Sequence, residues 1–300
     1  MACAFAAYPL VSNYLADENQ SVIITEYAEV VADTDDAEAK QMIQDAAAYN
    51  EILIPTVTET ERFSSEYMET VSASYYDLLN INDKGMMGYI EIPKINVYLP
   101  IYHGTDATTL ETGVGHVVGT SLPVGGLSTH CVISAHSGLS TQRMFSDIDE
   151  MVIGDVFYLH VLNDTMAYKV CDINTVLPED LDRLDIQTGR DLCTLITCTP
   201  FGVNTHRLLV TGERTEYIPE EAEQAVSSGP SIRINTWARE YLKGVLIGLL
   251  CAVALILLIA IILREKTRRE RAKKLEVAKN GNESEQNPEA EERGSADGER

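Results

Sequence analysis

An uninterrupted apolar run at residues 245–263 constrains this chain more than any other feature. It contains only aliphatic residues, one glycine and Cys251. About 20 consecutive apolar residues are needed for a helix to cross the hydrocarbon core of a bilayer. A buried core helix is the alternative, but such a helix normally carries a polar stripe, and this run has none. The sequence therefore predicts a transmembrane helix at residues 242–263.

Basic residues follow the apolar run at once, and they are Arg264, Lys266, Arg268, Arg269, Arg271, Lys273 and Lys274. Positively charged flanks normally remain on the cytoplasmic side of a membrane. We therefore expect residues 264–300 to form a cytoplasmic tail, first basic and then acidic and disordered. The part of the chain that precedes the helix is expected outside the cell.

An extracellular domain requires an export signal, and the first residues only partly resemble one. Residues 1–11 lack both a basic start and a full apolar segment. We interpret residues 1–12 as the remnant of an N-terminal signal or membrane segment.

Composition excludes several classes of partner. The formal net charge is -23, whereas a nucleic-acid partner calls for clustered lysine and arginine. The cysteines form no Cys-x-x-Cys pair, and His-Glu-x-x-His is absent, so no metal site is indicated. The six cysteines are Cys3, Cys131, Cys171, Cys193, Cys198 and Cys251.

The rest of the chain divides into three parts that differ in composition and in the pattern of apolar residues. Residues 13–84 are acidic and are predicted to be helical, in two pieces around Pro55 and the threonine-rich segment after it. Residues 85–215 alternate short β-branched or aromatic runs with turn signals, a pattern typical of a closed barrel or a sandwich. Residues 216–241 form a polar linker to the membrane helix.

The segment Thr194-Leu-Ile-Thr-Cys198-Thr-Pro places a thiol at the end of an apolar strand. Side chains alternate faces along a strand, so Cys193 and Thr197 share one face and Cys198 lies on the other. Cys193 and Cys198 are therefore not expected to form a disulfide. We expect Cys131, Cys171 and Cys193 to be ordinary buried cysteines.

Two further polar residues complete a candidate site for acyl transfer. Arg207 lies on the strand that follows the turn, where it and its neighbour His206 face opposite ways, and a guanidinium is the better partner for an oxyanion. His136 ends another strand, just before Ser137 and a glycine. A thiol nucleophile, an imidazole and a guanidinium are the set that thioester chemistry requires.

These residues resemble the active site of the sortases, bacterial cysteine transpeptidases of the Gram-positive cell surface. Thr194-Leu-Ile-Thr-Cys198 is similar to the sortase Thr-Leu-x-Thr-Cys signature, with Arg207 at the expected offset. The resemblance covers about residues 85–215 and is greatest to the pilus-building class C enzymes. Its further segments are Met87-Gly-Tyr-Ile-Glu-Ile-Pro-Lys-Ile, Leu99-Pro-Ile-Tyr-His-Gly, Gly113-Val-Gly-His, Gly119-Thr-Ser-Leu-Pro-Val-Gly-Gly and Thr199-Pro-Phe-Gly-Val-Asn-Thr-His-Arg.

Membership would imply a mainly β fold, a closed eight-stranded barrel with short helices, an N-terminal helical or lid segment and a C-terminal membrane anchor. It implies Cys198 as nucleophile, His136 as general acid and base, and Arg207 as stabiliser of the intermediate. Thr197 and Ser134 are the candidate substrate-binding residues.

The implied reaction cleaves a Leu-Pro-x-Thr-Gly-like sorting signal on a pilin or surface protein and passes it to a pilin lysine. This reaction needs no cofactor. The enzyme would be held in the cell membrane by its single span. One alternative is a housekeeping sortase that uses an amine of cell-wall peptide as acceptor. Another is a surface-binding barrel without activity, against which the intact set of cysteine, histidine and arginine argues.

One departure from the family pattern concerns the lid. Class C sortases commonly have an Asp-Pro-aromatic motif where this chain has Glu61-Arg62-Phe63-Ser64. Phe63 can still fill an apolar pocket, and Glu61 can face Arg207, although the stiffening proline is missing. Alternatively, residues 59–76 form an amphipathic helix packed on the barrel.

The two interpretations of this segment predict different behaviour for Phe63→Ala. If Phe63 covers the active site, the substitution speeds alkylation of Cys198 by a small reagent and leaves the melting temperature nearly unchanged. If Phe63 packs in a helix–barrel contact, its loss costs about 3–5 kcal/mol of stability and leaves the alkylation rate of the folded protein unchanged. Alkylation kinetics and thermal unfolding of the same samples separate the two.

Overall fold

The computed structural model describes residues 2–53, 74–81, 83–139, 141–180, 182–222 and 236–285. The proposed lid residues Glu61 and Phe63 lie outside these ranges. The chain divides into two compact units, residues 1–238 and 239–300.

Eight strands close into a barrel, as the resemblance to sortases implied. They pair in the order β1, β2, β3, β4, β7, β8, β6, β5, and β5 returns to β1. The pairs β2·β3 and β4·β7 are parallel, and the others are antiparallel. The strands are β1 Met86–Ile92, β2 Val97–His103, β3 Val114–His116, β4 Thr129–Ser134, β5 Val156–Val161, β6 Asp164–Val176, β7 Asp191–Thr199 and β8 His206–Thr215.

The strands that carry the candidate site have two distinct faces. Alternate residues of β4, β7 and β8 belong to the main core inside the barrel, among them Ile133, Leu195 and Val210. The residues between them lie on the outer face, where a smaller apolar cluster includes Val132, Val176, Leu184, Ile196 and Leu209. The outer face is partly exposed at one end of the three strands, at Ser134, Ile196 and Arg207.

Two N-terminal helices belong to the same unit as the barrel, α1 Ala2–Asp33 and α2 Asp36–Ile52. Helix α1 runs through residues 12 and 13, where the sequence suggested a boundary. Helix α2 begins with a cap, because the Asp35 carboxylate accepts a hydrogen bond of 2.8 Å from the Ala37 amide. A further short helix, α3, spans Ala107–Thr112.

Two buried side chains fasten these helices to the barrel. The Tyr27 hydroxyl donates to the Met87 carbonyl (3.0 Å) and accepts from the Leu162 amide (2.9 Å). Burial raises the pKa of Tyr27 to about 12. The Asn50 amide group donates to the Leu122 carbonyl (3.1 Å) and accepts from the Leu122 amide (2.7 Å). Each contact satisfies two buried backbone groups with one side chain.

Most of helix α4, Thr236–Glu285, belongs to the second unit. Its segment Lys243–Lys274 is long and apolar enough to cross a membrane. By length and composition this helix fits a membrane anchor.

Tyr27→Phe is expected to lower the free energy of unfolding by about 1–3 kcal/mol, because it leaves two buried backbone groups without a partner. Tyr14→Phe is the matched control, since Tyr14 lies in the same helix and is 66% exposed. Denaturant unfolding of the full chain in detergent measures both. Equal stability of the two variants would show that the Tyr27 hydroxyl does not hold the helix.

Candidate active site

Cys198 and Arg207 are direct partners across the antiparallel β7·β8 pair. Side chains of opposed residues in such a pair point to the same face. The preceding opposed pairs on this face are Ile196 with Leu209 and Thr194 with Thr211. Cys198 and Arg207 therefore share the outer face of the barrel, at the end of β7. His206 is opposite Thr199 instead.

His136 reaches this place from the other side of β7. The parallel pairing of β4 with β7 ends at Ser134 opposite Ile196, and the Ala135 amide still donates to the Ile196 carbonyl (3.1 Å). β4 ends at Ser134, so His136 follows the strand and does not end it. The Ser137 hydroxyl donates to the Cys198 carbonyl, which holds the chain beside His136 next to the backbone of Cys198. Ala135 is buried in the core, whereas His136 is partly exposed, which is consistent with an outward-facing imidazole.

The loop between β7 and β8 holds part of the arginine side chain. Arg207 Nη1 donates to the backbone carbonyls of Asn204 (3.3 Å) and His206 (3.1 Å). The loop contains a cis bond between Thr199 and Pro200. A guanidinium has five N–H donors, so these two contacts orient its plane without using its full capacity. Cys198 and Arg207 are both partly exposed.

The two candidate substrate-binding residues occupy different positions. Thr197 is 4% exposed, and its hydroxyl donates to the Ala135 carbonyl (2.8 Å). It thus lies on the inner side of β7 and connects β7 to the chain leaving β4, a geometry that favours a structural role over substrate contact. Ser134 is partly exposed and lies on the same face of β4 as Val132.

A buried histidine fastens the connection between β6 and β7 to the outer face. His130 Nδ1 lies 2.9 Å from the Asp185 carbonyl, and its Nε2 lies 2.7 Å from the Thr194 hydroxyl. That hydroxyl is in turn 2.8 Å from the hydroxyl of Thr211. The chain of contacts runs across β4, β7 and β8. It fixes the loop that borders the smaller apolar cluster, and the sequence pattern contained no signal for it.

The other barrel cysteines are placed differently from Cys198. Cys131 and Cys193 are register partners in β4·β7 and are both buried inside the barrel. Burial raises the pKa of the Cys193 thiol well above its usual range, and it also raises the pKa of Cys171. A thiol that stays protonated is a poor nucleophile. For Cys131, burial raises the pKa, but hydrogen bonds with Cys193 and His116 outweigh it and lower the pKa overall, so burial alone shields this thiol from reagents. Among the cysteines with described side chains, only Cys198 is opposite Arg207 and bonded through its carbonyl to the residue that follows His136.

Among the residues that the structure describes, no group of three or more histidine, cysteine or acidic side chains is placed to hold a metal ion. The described features define a closed barrel with a thiol, an imidazole and a guanidinium on one rim. This is the donor and nucleophile set of acyl transfer through a thioester.

Comparison with known proteins gives this arrangement a family. Residues 90–215 match the family model described as "Sortase domain". Sortase C of Streptococcus pneumoniae is 43% identical, with a TM-score of 0.57 over 65% of this chain and 97% of that chain. Sortase C of Clostridium perfringens, solved with the C-terminal cell wall sorting motif, is 44% identical, with a TM-score of 0.56 over 66% of this chain and 100% of the other.

A curated relative, sortase A of Streptococcus agalactiae, is 29% identical over 157 residues, which are 50% of this chain and 63% of the relative. The chain thus spans less than two thirds of that relative's length. The protein belongs to the sortase family, and within it the solved structures that it resembles include class C enzymes.

Iodoacetamide is expected to modify Cys198 in the folded protein while leaving Cys131 and Cys193 unmodified, because these two are only 2% and 0% exposed. Peptide mapping by mass spectrometry measures all three sites in one digest, and Cys198→Ala identifies the signal of that residue. Comparable labelling of Cys131 or Cys193 would contradict the assignment of faces.

Proposed function

We propose that this protein is a membrane-anchored cysteine transpeptidase that cleaves a sorting signal and transfers it to an amine. The opposed positions of Cys198 and Arg207 on β7 and β8 carry the proposal, because they place a nucleophile beside a fixed cation. His136, which lies just beyond the end of β4 and beside the Ser137 link to the Cys198 backbone, supplies the proton-transfer group. The proposed substrate is a Leu-Pro-x-Thr-Gly-like signal on a surface protein.

In the first half of the proposed reaction, Cys198 Sγ attacks the carbonyl carbon of the scissile Thr–Gly bond. Arg207 stabilises the negative oxygen of the tetrahedral intermediate, since its charge and N–H groups persist at all physiological pH values. His136 donates a proton to the departing glycine amine as the C–N bond breaks. The products are a thioester on Cys198 and the released C-terminal segment.

In the second half, an amine attacks the thioester carbonyl, and His136 accepts its proton. The C–S bond breaks, and Cys198 leaves as a thiolate. A pilin lysine as acceptor gives an isopeptide bond between two subunits. The choice of a pilin acceptor is supported by the similar sortase C of Streptococcus pneumoniae, whose structure bears on pilin substrate specificity.

The proposal extends to the membrane. The basic residues that follow the apolar part of α4 favour a cytoplasmic C-terminus. The barrel would then be outside the cell, where sorting signals of surface proteins are displayed. A protease added to intact cells should therefore cleave epitopes in the barrel and spare an epitope fused after residue 300.

The chemistry itself is tested with a sorting-signal peptide and two acceptors, a lysine-bearing pilin domain and a cell-wall peptide amine. We expect a thioester adduct on Cys198 by mass spectrometry and preferential transfer to the lysine. An adduct on another cysteine would overturn the site, whereas preferential transfer to the cell-wall amine would replace pilus polymerisation by surface-protein anchoring.

Arg207→Lys is expected to slow formation of the thioester by about 10²–10³-fold, although the charge is retained, because lysine lacks the planar array of donors. Arg190→Lys is the control. Arg190 pairs with Glu213 at 2.8 Å near the opposite end of β7, so its replacement should leave the rate nearly unchanged. Initial rates with a fluorescent sorting-signal peptide measure both. Wild-type turnover by Arg207→Lys would show that the guanidinium is structural.

A further inference from the structure

Hydrogen bonding between the β4 and β7 segments continues past their last paired residues, where a side chain takes the place of a backbone amide. In a parallel ladder, the hydrogen bonds of one strand recur every second residue. After the Ala135 amide, which donates to Ile196, the next donor in regular register would be the amide of residue 137, and its acceptor the Cys198 carbonyl. In the structure, the Ser137 hydroxyl donates to that carbonyl at 2.5 Å.

A second hydroxyl makes the reverse connection. Thr197, next to the nucleophile, donates to the carbonyl of Ala135 (2.8 Å). Thus His136 is flanked by Ala135, which is bonded to Thr197, and by Ser137, which is bonded to Cys198. The two hydroxyl tethers fix the backbone of the histidine relative to the backbone of the cysteine.

A third contact joins the two loops that leave this place. Gly138 has φ +80°, and a Cβ atom built on it would lie 3.2 Å from the Phe201 ring. Phe201 of the loop after Cys198 therefore packs against the loop after His136. The Gly138 amide also donates to the Ser146 hydroxyl (3.0 Å), which holds the turn from the other side.

We infer that Ser137 is a positioning residue that sets the distance between the His136 imidazole and the Cys198 thiol. A backbone ladder bond at this point would keep the chain in the plane of the sheet. A side-chain tether keeps the register of the two strands while the chain turns away beside His136. The effect of Ser137 on the reaction rests on the proposed function. Misplacement of a reacting group by about 1 Å can cost about 10²-fold in rate, so a change in this distance should slow catalysis.

The first test uses the full chain in detergent and is independent of substrate. The rate of Cys198 alkylation by iodoacetamide is measured against pH for wild type, Ser137→Ala, Ser137→Thr and His136→Ala. A nearby imidazolium favours the thiolate, so His136→Ala defines the profile of a thiol without it. Ser137→Ala should move the profile toward that of His136→Ala, and Ser137→Thr should return it toward wild type.

The second test measures the steady-state rate with a Leu-Pro-x-Thr-Gly peptide. We expect kcat to fall about 10-fold or more in Ser137→Ala with KM little changed, and to recover in Ser137→Thr. Ser128→Ala is the control. Ser128 also ties its loop to backbone through a hydroxyl, accepting from the Gly189 amide (2.9 Å), but at the opposite end of the β4·β7 pair. It should match wild type in both assays.

These results separate the inference from the proposed function. If wild type forms no thioester with any sorting-signal peptide, the function fails, and the alkylation profiles still decide the role of Ser137. Wild-type profiles and rates in Ser137→Ala would overturn the inference. If Ser137→Ala does not fold, Thr197→Val, which removes the reverse tether at almost constant volume, must show the same shift, and its wild-type behaviour would overturn the inference equally.

Discussion

Strand β7 is the element on which the site depends, because it is paired on both sides and in opposite senses. It runs parallel to β4 and antiparallel to β8. A slip of one residue in either pairing would exchange the inner and outer faces of that strand. The register is set by burial, since Cys193 and Leu195 belong to the core while Ile196 belongs to the outer cluster. The same alternation that fills the barrel therefore aims Cys198.

The chemical roles of cysteine in this chain are separated by strand face. Inside the barrel, Cys131 and Cys193 are buried on two adjacent strands, where their thiols interact with each other. On the outer face, three residues farther along than Leu195, the same residue type meets Arg207 across the pair. Burial shields the two inner thiols from reagents, whereas Cys198, the proposed nucleophile, is partly exposed.

The sequence was sufficient for the fold class and for bringing Cys198 and Arg207 together, because a strand–turn–strand segment has a local register. It also predicted that Thr197 faces away from Cys198, which conflicts with a substrate-binding role for Thr197. The pairing of β7 with β4 could not be predicted from the sequence in this way. The β4·β7 pairing joins residues about 60 positions apart, and no local pattern specifies it. The hydroxyl of Ser137 depends on that pairing, so its contact was invisible in the sequence, as was the chain of contacts through His130.

The hydrogen bonds of Tyr27 and Asn50 to the barrel determine where a shortened catalytic fragment of this protein can begin. The recognisable sortase segment begins at residue 90, within β1, whereas these two side chains complete backbone hydrogen bonding at Met87, Leu122 and Leu162. Removing the helices would expose or orphan those groups on three separate parts of the barrel. The cooperative unit is therefore larger than the segment that the family model matches, and an isolated catalytic fragment must begin before Tyr27 in α1 and not at β1.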